Sequence, residues 1–288
     1  MLAAERLKHM RTPVSSIHIT RVEQGASVVT DDILVTEEPL EIRLGHGPLD
    51  DRKEVRLSVT MRTPGNDDEL ALGFLFTEGI ITDPAEVVRV AYCENVKEEE
   101  HGNVVRAELR PDVDLDPTKW QRNFYTSSSC GVCGKTSIDA VRMQCARKIA
   151  PFGTIDPKII TALPERMREA QTVFTHTGGI HAAALFDREG KLLILREDVG
   201  RHNAVDKAIG AALGSQLSTA DYMLLVSGRA GFELVQKCTM AGIPLMAAVG
   251  APSSLAVQLA KEAGLTLIGF LRGERFNIYS EAGDGGRQ

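Results

Sequence analysis

Beyond residue 200 the chain alternates between apolar runs of strand length and amphipathic runs of helix length, and this rhythm restricts the fold more than any other feature. It predicts helices over residues 203–213, 232–241 and 253–263, interleaved with strands over 222–227, 244–249 and 266–271. Such alternation builds an α/β layer around a largely parallel sheet. Upstream, 181–186 and 192–196 read as strands around the turn Asp187-Arg188-Glu189-Gly190, and 276–280 as an edge strand. Residues 157–170 read as a helix with a break or restart at Pro164, because proline lacks the N–H that the helical ladder uses. The last residues, 281–288, read as a loose tail.

The first part of the chain has a different rhythm. Residues 1–14 read as a solvated arm. β-prone runs at 16–22 and 27–35 flank Glu23-Gln24-Gly25 as in a hairpin, and 40–44 and 55–61 continue the β-rich character. Residues 67–81 read as a helix with an acidic first turn and Leu70, Phe74 and Ile81 near one face. Strands are expected at 87–92 and 104–109. A proline-bounded link at 111–117 divides an α+β domain at 15–117 from a larger α/β domain at 118–280.

In an open α/β sheet a ligand sits beyond the carboxyl ends of the strands. Here those ends carry glycines beside arginines: Gly200-Arg201-His202 after one strand, Ser227-Gly228-Arg229 after another, Gly250 to Ser254 after a third, and Phe270-Leu271-Arg272-Gly273-Glu274-Arg275 after the last. Glycines let the backbone approach a ligand, and arginines hold anionic oxygens. The expected ligand bears phosphate. No segment matches the P-loop or the G-x-G-x-x-G fingerprint, so a nucleotide triphosphatase or a dehydrogenase is poorly supported. His176 and His181 flank Gly178-Gly179, where a hydrogen-bonded structural role competes with a site role.

The loop Tyr125-Thr126-Ser127-Ser128-Ser129-Cys130-Gly131-Val132-Cys133-Gly134-Lys135-Thr136 precedes residues 137–149, whose apolar spacing predicts a helix. A helix N-terminus and the charge of Lys135 both favour a thiolate, which makes Cys130 and Cys133 candidate reactive thiols. Structural zinc requires four ligands, and there is no second Cys-x-x-Cys. A thioredoxin-like pair fits the spacing, although the serines and glycines suit a mobile loop better than a fixed disulfide catalyst. Simple packing at the helix entry finds only Val132 to pack on. A sulfur carrier, with a persulfide on one thiol, is the remaining reading.

Composition bounds the class of function. The net charge of -6 leaves no overall basic footprint for nucleic acid, and no apolar run reaches the length of a membrane span. Five cysteines form no even disulfide framework, which favours a reducing, cytoplasmic location.

Five segments in order carry a family resemblance: Arg62-Thr63-Pro64-Gly65 with Phe74-Leu75-Phe76-Thr77-Glu78-Gly79; Ser129 to Gly134; Thr175-His176-Thr177-Gly178-Gly179; Arg196 to Asp206; and Gly269 to Asn277. Over about residues 15–280 the chain resembles the FdhD family of formate dehydrogenase accessory sulfurtransferases. The resemblance implies that a cysteine desulfurase passes a persulfide sulfur to Cys130, with Cys133 assisting. The sulfur then goes to a molybdenum or tungsten bis(guanine dinucleotide) pterin before that cofactor enters formate dehydrogenase. It places the cofactor contact on Phe270, Leu271, Arg272, Gly273, Glu274 and Arg275, where a guanine nucleotide could stand in for the cofactor. It further implies a homodimer and a cytidine-deaminase-like C-terminal domain. Active deaminases use His-x-Glu and Pro-Cys-x-x-Cys to hold zinc. This chain has Ser129 in place of that proline and no His-x-Glu, so neither zinc nor deaminase chemistry is expected.

Overall fold

The computed structural model describes residues 11–113, 115 and 149–281. The loop with Cys130 and Cys133, the expected helix as far as residue 148 and the division at residue 117 lie outside them. Strands β1 (Val14–Glu23) and β2 (Ala26–Val35) form an antiparallel hairpin. Its turn residues Gln24 and Gly25 have φ of 50° and 85°, the left-handed geometry that a two-residue hairpin loop requires. A second, four-stranded sheet contains β3 (Glu38–His46), β4 (Lys53–Arg62), β5 (Val87–Tyr92) and β6 (Val104–Leu109) in the order β4-β3-β6-β5.

Helix α1 (Asp67–Thr77) covers that sheet, burying Leu70, Ala71, Leu75 and Phe76 against Leu40, Ile42, Leu44 and Val105. The expected helix end at Ile81 is corrected. Gly79 turns left-handed at φ 70°, and the N–H groups of Ile80 and Ile81 both return to the Leu75 carbonyl, at 2.9 and 3.2 Å. The chain therefore reverses, and both isoleucines drop into the core.

The larger sheet has six strands in the order β12-β11-β10-β9-β7-β8. These are β7 (His181–Phe186), β8 (Leu192–Asp198), β9 (Met223–Val226), β10 (Leu245–Ala248), β11 (Thr266–Arg272) and β12 (Arg275–Ser280). Only β9, β10 and β11 run parallel, which corrects the expectation of a largely parallel sheet. For two of the three antiparallel pairs, β7–β8 and β11–β12, the reason is local. Asp187 Oδ1 accepts from the N–H groups of Glu189 and Lys191, closing a hairpin between β7 and β8, and Gly273-Glu274 closes another between β11 and β12. A hairpin imposes antiparallel pairing.

Helices cover both faces of this sheet. On one side α4 (Arg201–Gly214), α5 (Phe232–Met240) and α6 (Ser254–Ala263) bury their apolar residues against Leu224, Val226, Met246 and Ala248. On the other, α2 (Pro157–Ala170) buries Ile160, Leu163 and Met167 against Met223, Leu225, Leu245 and Ala247. The predicted break at Pro164 does not occur. One missing ladder hydrogen bond costs less than the burial that holds this helix against the sheet. A short helix α3 (Thr172–Thr177) follows.

The two sheets meet through α1 and α4. A Cβ built on Gly73 would lie 1.9 Å from the Asp206 carbonyl oxygen, and one on Gly210 would lie 1.9 Å from that of Glu69. Only glycine allows these helices to cross at backbone contact. Helix α4 is consequently buried nearly all round, with Ala204, Val205, Ala208 and Ile209 in the sheet core and Asn203, Asp206 and Lys207 toward the N-terminal half.

Candidate functional site

The carboxyl ends of β8, β9, β10 and β11 lie at one end of the large sheet, together with the start of β7. Hydrogen bonds link the loops after β9, β10 and β11 into a rim. The Gly250 N–H donates to the Gly228 carbonyl at 2.9 Å, and the Phe270 N–H donates to the Gly250 carbonyl at 3.0 Å. A Cβ on Gly250 would lie 2.9 Å from Gly228 O and 3.0 Å from Arg229 Cα, so glycine is needed for this approach. Ser227 extends the β7–β9 ladder, its Oγ accepting from the Ala182 N–H at 2.9 Å.

Phe270 is the strained member of the rim. Its φ is 53°, a left-handed value for a bulky residue, at a bulge where β11 and β12 slip register between Gly269 and Arg272. The bulge turns the Phe270 ring outward to 42% exposure, while Leu271 is wholly buried in the core beneath. Arg272 pairs with Arg275 across the exposed tip formed by Gly273 and Glu274.

The charges at this end are unbalanced. Arg229, Arg272 and Arg275 are exposed and Arg201 is half-buried. Among the described residues none of the four forms a salt bridge with a carboxylate. His181, at the start of β7, packs beside Gly228, whose added Cβ would lie 3.4 Å from the His181 Nδ1. Burial first, and then the charges of Arg201 and His202, hold the His181 imidazole below its ordinary pKa.

His202 is buried rather than open to the rim. Its Nε2 lies 2.6 Å from Glu233 Oε2, at the first turn of α5. Burial opposes ionisation of Glu233, but the hydrogen bond and charge of His202, with Lys237 and Arg201 nearby, outweigh it and hold the carboxyl below the usual range. Sequence reasoning missed Glu233, since an acid in the first turn of a helix reads as an ordinary complement to the dipole. His176 is exposed on α3, whose leading N–H groups at Val173 and Phe174 donate to Glu197 at 2.9 Å. Cys130 and Cys133 lie outside the described residues. Among the described residues no group of three or more His, Cys, Asp or Glu could hold a metal, and no helix is long and apolar enough to cross a membrane.

Much of the motif chemistry faces the seam between the halves instead. Lys237 Nζ bonds Asp206 Oδ2 at 2.9 Å, and Glu78 Oε1 and Thr77 Oγ1 at 3.0 Å each. Burial alone would push this ammonium toward neutrality; Asp206 and Glu78 outweigh it and hold its pKa above the ordinary value. Across the seam Arg196 also grips Glu69, while within the N-terminal half Arg62 grips Asp67, which accepts from the Tyr92 hydroxyl at 2.8 Å.

The model of the FdhD/NarQ family matches residues 35–284. A sulfur carrier protein FdhD of Streptomyces avermitilis is 51% identical over 267 residues, covering 91% of this chain and 92% of its own. The protein of the same name from Mycolicibacterium paratuberculosis is 50% identical over 273 residues, covering 92% and 96%. Among solved structures, a candidate formate dehydrogenase accessory protein from Desulfotalea psychrophila superposes with a TM-score of 0.70 at 22% identity, over 94% of this chain and 98% of its own, and so shares the fold.

Proposed function

Because the chain belongs to the FdhD/NarQ family, we propose that it is a sulfur carrier in the maturation of formate dehydrogenase, loading a guanylated pterin cofactor with sulfur before insertion. The Cys130 thiolate attacks the outer sulfur of a cysteine desulfurase persulfide. The S–S bond breaks, the desulfurase cysteine leaves as thiolate, and Cys130 holds the persulfide. The outer sulfur then passes to the molybdenum or tungsten centre of the substrate as a sulfido ligand. Cys130 departs as thiolate, and the metal centre supplies the two electrons that convert sulfane sulfur to sulfide. Cys133 assists as a second thiol.

The observation that carries the cargo part of this reading is the set of arginines at the strand ends that have no carboxylate partner among the described residues. Arg201, Arg229, Arg272 and Arg275 would neutralise pyrophosphate oxygens, as guanidinium forks do. The outward Phe270 ring offers a stacking surface to guanine, with Gly273 and Glu274 at the tip beside it. In this reading Ser227 and Gly228 would form the floor of the site, with His202, tied to Glu233, behind it. Helices on both faces of a mixed sheet suit the proposed cytidine-deaminase-like layering, without the zinc chemistry. A cytoplasmic homodimer completes the proposal.

Mass spectrometry after incubation with a desulfurase and cysteine tests it. Wild type should gain sulfur on Cys130, and Cys130→Ala should lose both the added mass and sulfuration of the cofactor. Absence of added sulfur on the wild-type protein would leave an escort of the cofactor, not a carrier of sulfur.

A further inference from the structure

The rim residue Arg201 and the buried His202 next to it belong to the C-terminal half, yet the segment that carries them is fastened to the N-terminal sheet. Thr63, which directly follows β4 and is 2% exposed, fastens it through three hydrogen bonds. Its N–H donates to Asp198 Oδ2 at 3.1 Å, its Oγ1 accepts from the Val199 N–H at 3.1 Å, and its carbonyl accepts from Lys207 Nζ at 2.7 Å. Asp198 Oδ1 in turn accepts from the Gly200 N–H at 2.8 Å and from Asn203 Nδ2 at 3.1 Å. Asn203 closes the strap by donating to the Met61 carbonyl at 2.8 Å and accepting from Thr60 Oγ1 at 3.1 Å.

The bonds are distributed unevenly along the chain. Residues 198, 199 and 200 are tied on one side of Arg201 and His202, and residue 203 on the other. There is little slack between them, because a Cβ on Gly200 would lie 2.9 Å from Asn203 Nδ2 and 3.3 Å from Asp198 Oδ1. We infer that Thr63 is a positioning residue of the cargo site: through Val199 and Asp198 it sets where α4 begins, and so where Arg201 meets the anion. The N-terminal sheet is then the rear wall of a site whose contacting residues all lie in the other half. This rests on the cargo reading above.

The near-isosteric change Thr63→Val removes only the hydroxyl, and Thr63→Ser restores it. With GDP as the probe in calorimetry, T63V should bind about tenfold more weakly, the loss expected for one net hydrogen bond, while T63S stays within about twofold of wild type. Hydrogen exchange at the Val199 and Gly200 amides should rise in T63V. Far-UV circular dichroism and urea unfolding of each variant check that the protein is folded. Wild-type GDP affinity in T63V overturns the proposal alone, whereas absence of GDP binding by the wild-type protein overturns the cargo reading and the proposal together. Should T63V fail to fold, Asn203→Ala poses the same question from the other end of the strap, with the same expected loss of affinity and the same overturning result.

Discussion

The seam between the two halves and the rim at the strand ends are both rich in cations, but they handle charge in opposite ways. At the seam, Lys207 and Lys237 are buried, and each meets a carboxylate: Asp198 and Asp206 respectively. At the rim, Arg229, Arg272 and Arg275 stand in solvent with no such partner among the described residues. A buried ion pair holds its place because removing one member strands the other; an open arginine holds its place for a ligand. The difference predicts which mutations cost folding and which cost binding. The sharpest case is Lys237→Met, which leaves Asp206 and Glu78 without their cation. It should lower stability by about 3–5 kcal/mol in urea unfolding. A loss below about 1 kcal/mol would erase the contrast, since that is the worth of an exposed pair.

The rim should behave in the opposite way. Replacing both Arg272 and Arg275 with Ala should change unfolding free energy by no more than about 0.5 kcal/mol. The same pair should weaken GDP about a hundredfold, near 2.7 kcal/mol, and flatten the salt dependence of what binding remains. Calorimetry at two ionic strengths beside urea unfolding reads both. A large stability loss with binding intact would place these arginines in the seam class.

The helix crossing offers a test at the seam that involves no charge. Gly210→Ala puts a methyl where the Glu69 carbonyl now sits, so α1 and α4 must separate. Overpacking of this kind should cost about 1–3 kcal/mol. Because α4 also starts at the rim, thermal unfolding and GDP titration of this variant would show whether strain at one end of the helix is felt at the other.

What the sequence disclosed follows from the range of the signals. The β1–β2 hairpin and the β7–β8 hairpin were legible because their turns, Gln24-Gly25 and Asp187 to Gly190, carry local chemistry. The rim glycines were legible for the same reason. The parallel or antiparallel sense of β7 against β9 was not, since it depends on a pairing between segments far apart in the chain. Helix α1 misled because both of its faces are covered, one by a sheet and the other by α4, so Gly73 and Asp67 lie buried beside Leu70 and apolar spacing no longer marks a single face. The burial of Asp206, Lys207 and Lys237 depends on the first half of the molecule packing against them, which no local pattern records. Arg196 to Asp206 combined both roles in one motif: Arg201 turns to the rim, while Asp198, Asn203 and Asp206 turn to the seam.

Between seam and rim stands the His202–Glu233 pair, part buried like the one and placed like the other, with side chains 11% and 19% exposed. Its carboxyl is held below the ordinary glutamate value of about 4.3, so the sign of its pH dependence is fixed. A depressed folded pKa contributes stability that is present above the unfolded value and lost as pH falls through the folded one. Glu233→Gln should therefore be less stable than wild type near neutrality by about 1 kcal/mol. The gap should close as the solution is acidified below about pH 4.3, where wild type loses the same interaction. Urea midpoints of both proteins across that range measure the closure. If the gap persists into acid, Glu233 acts by packing and belongs with the seam; if it closes while GDP binding of the variant also falls, the carboxylate links the fold to the rim by holding the imidazole behind Arg201.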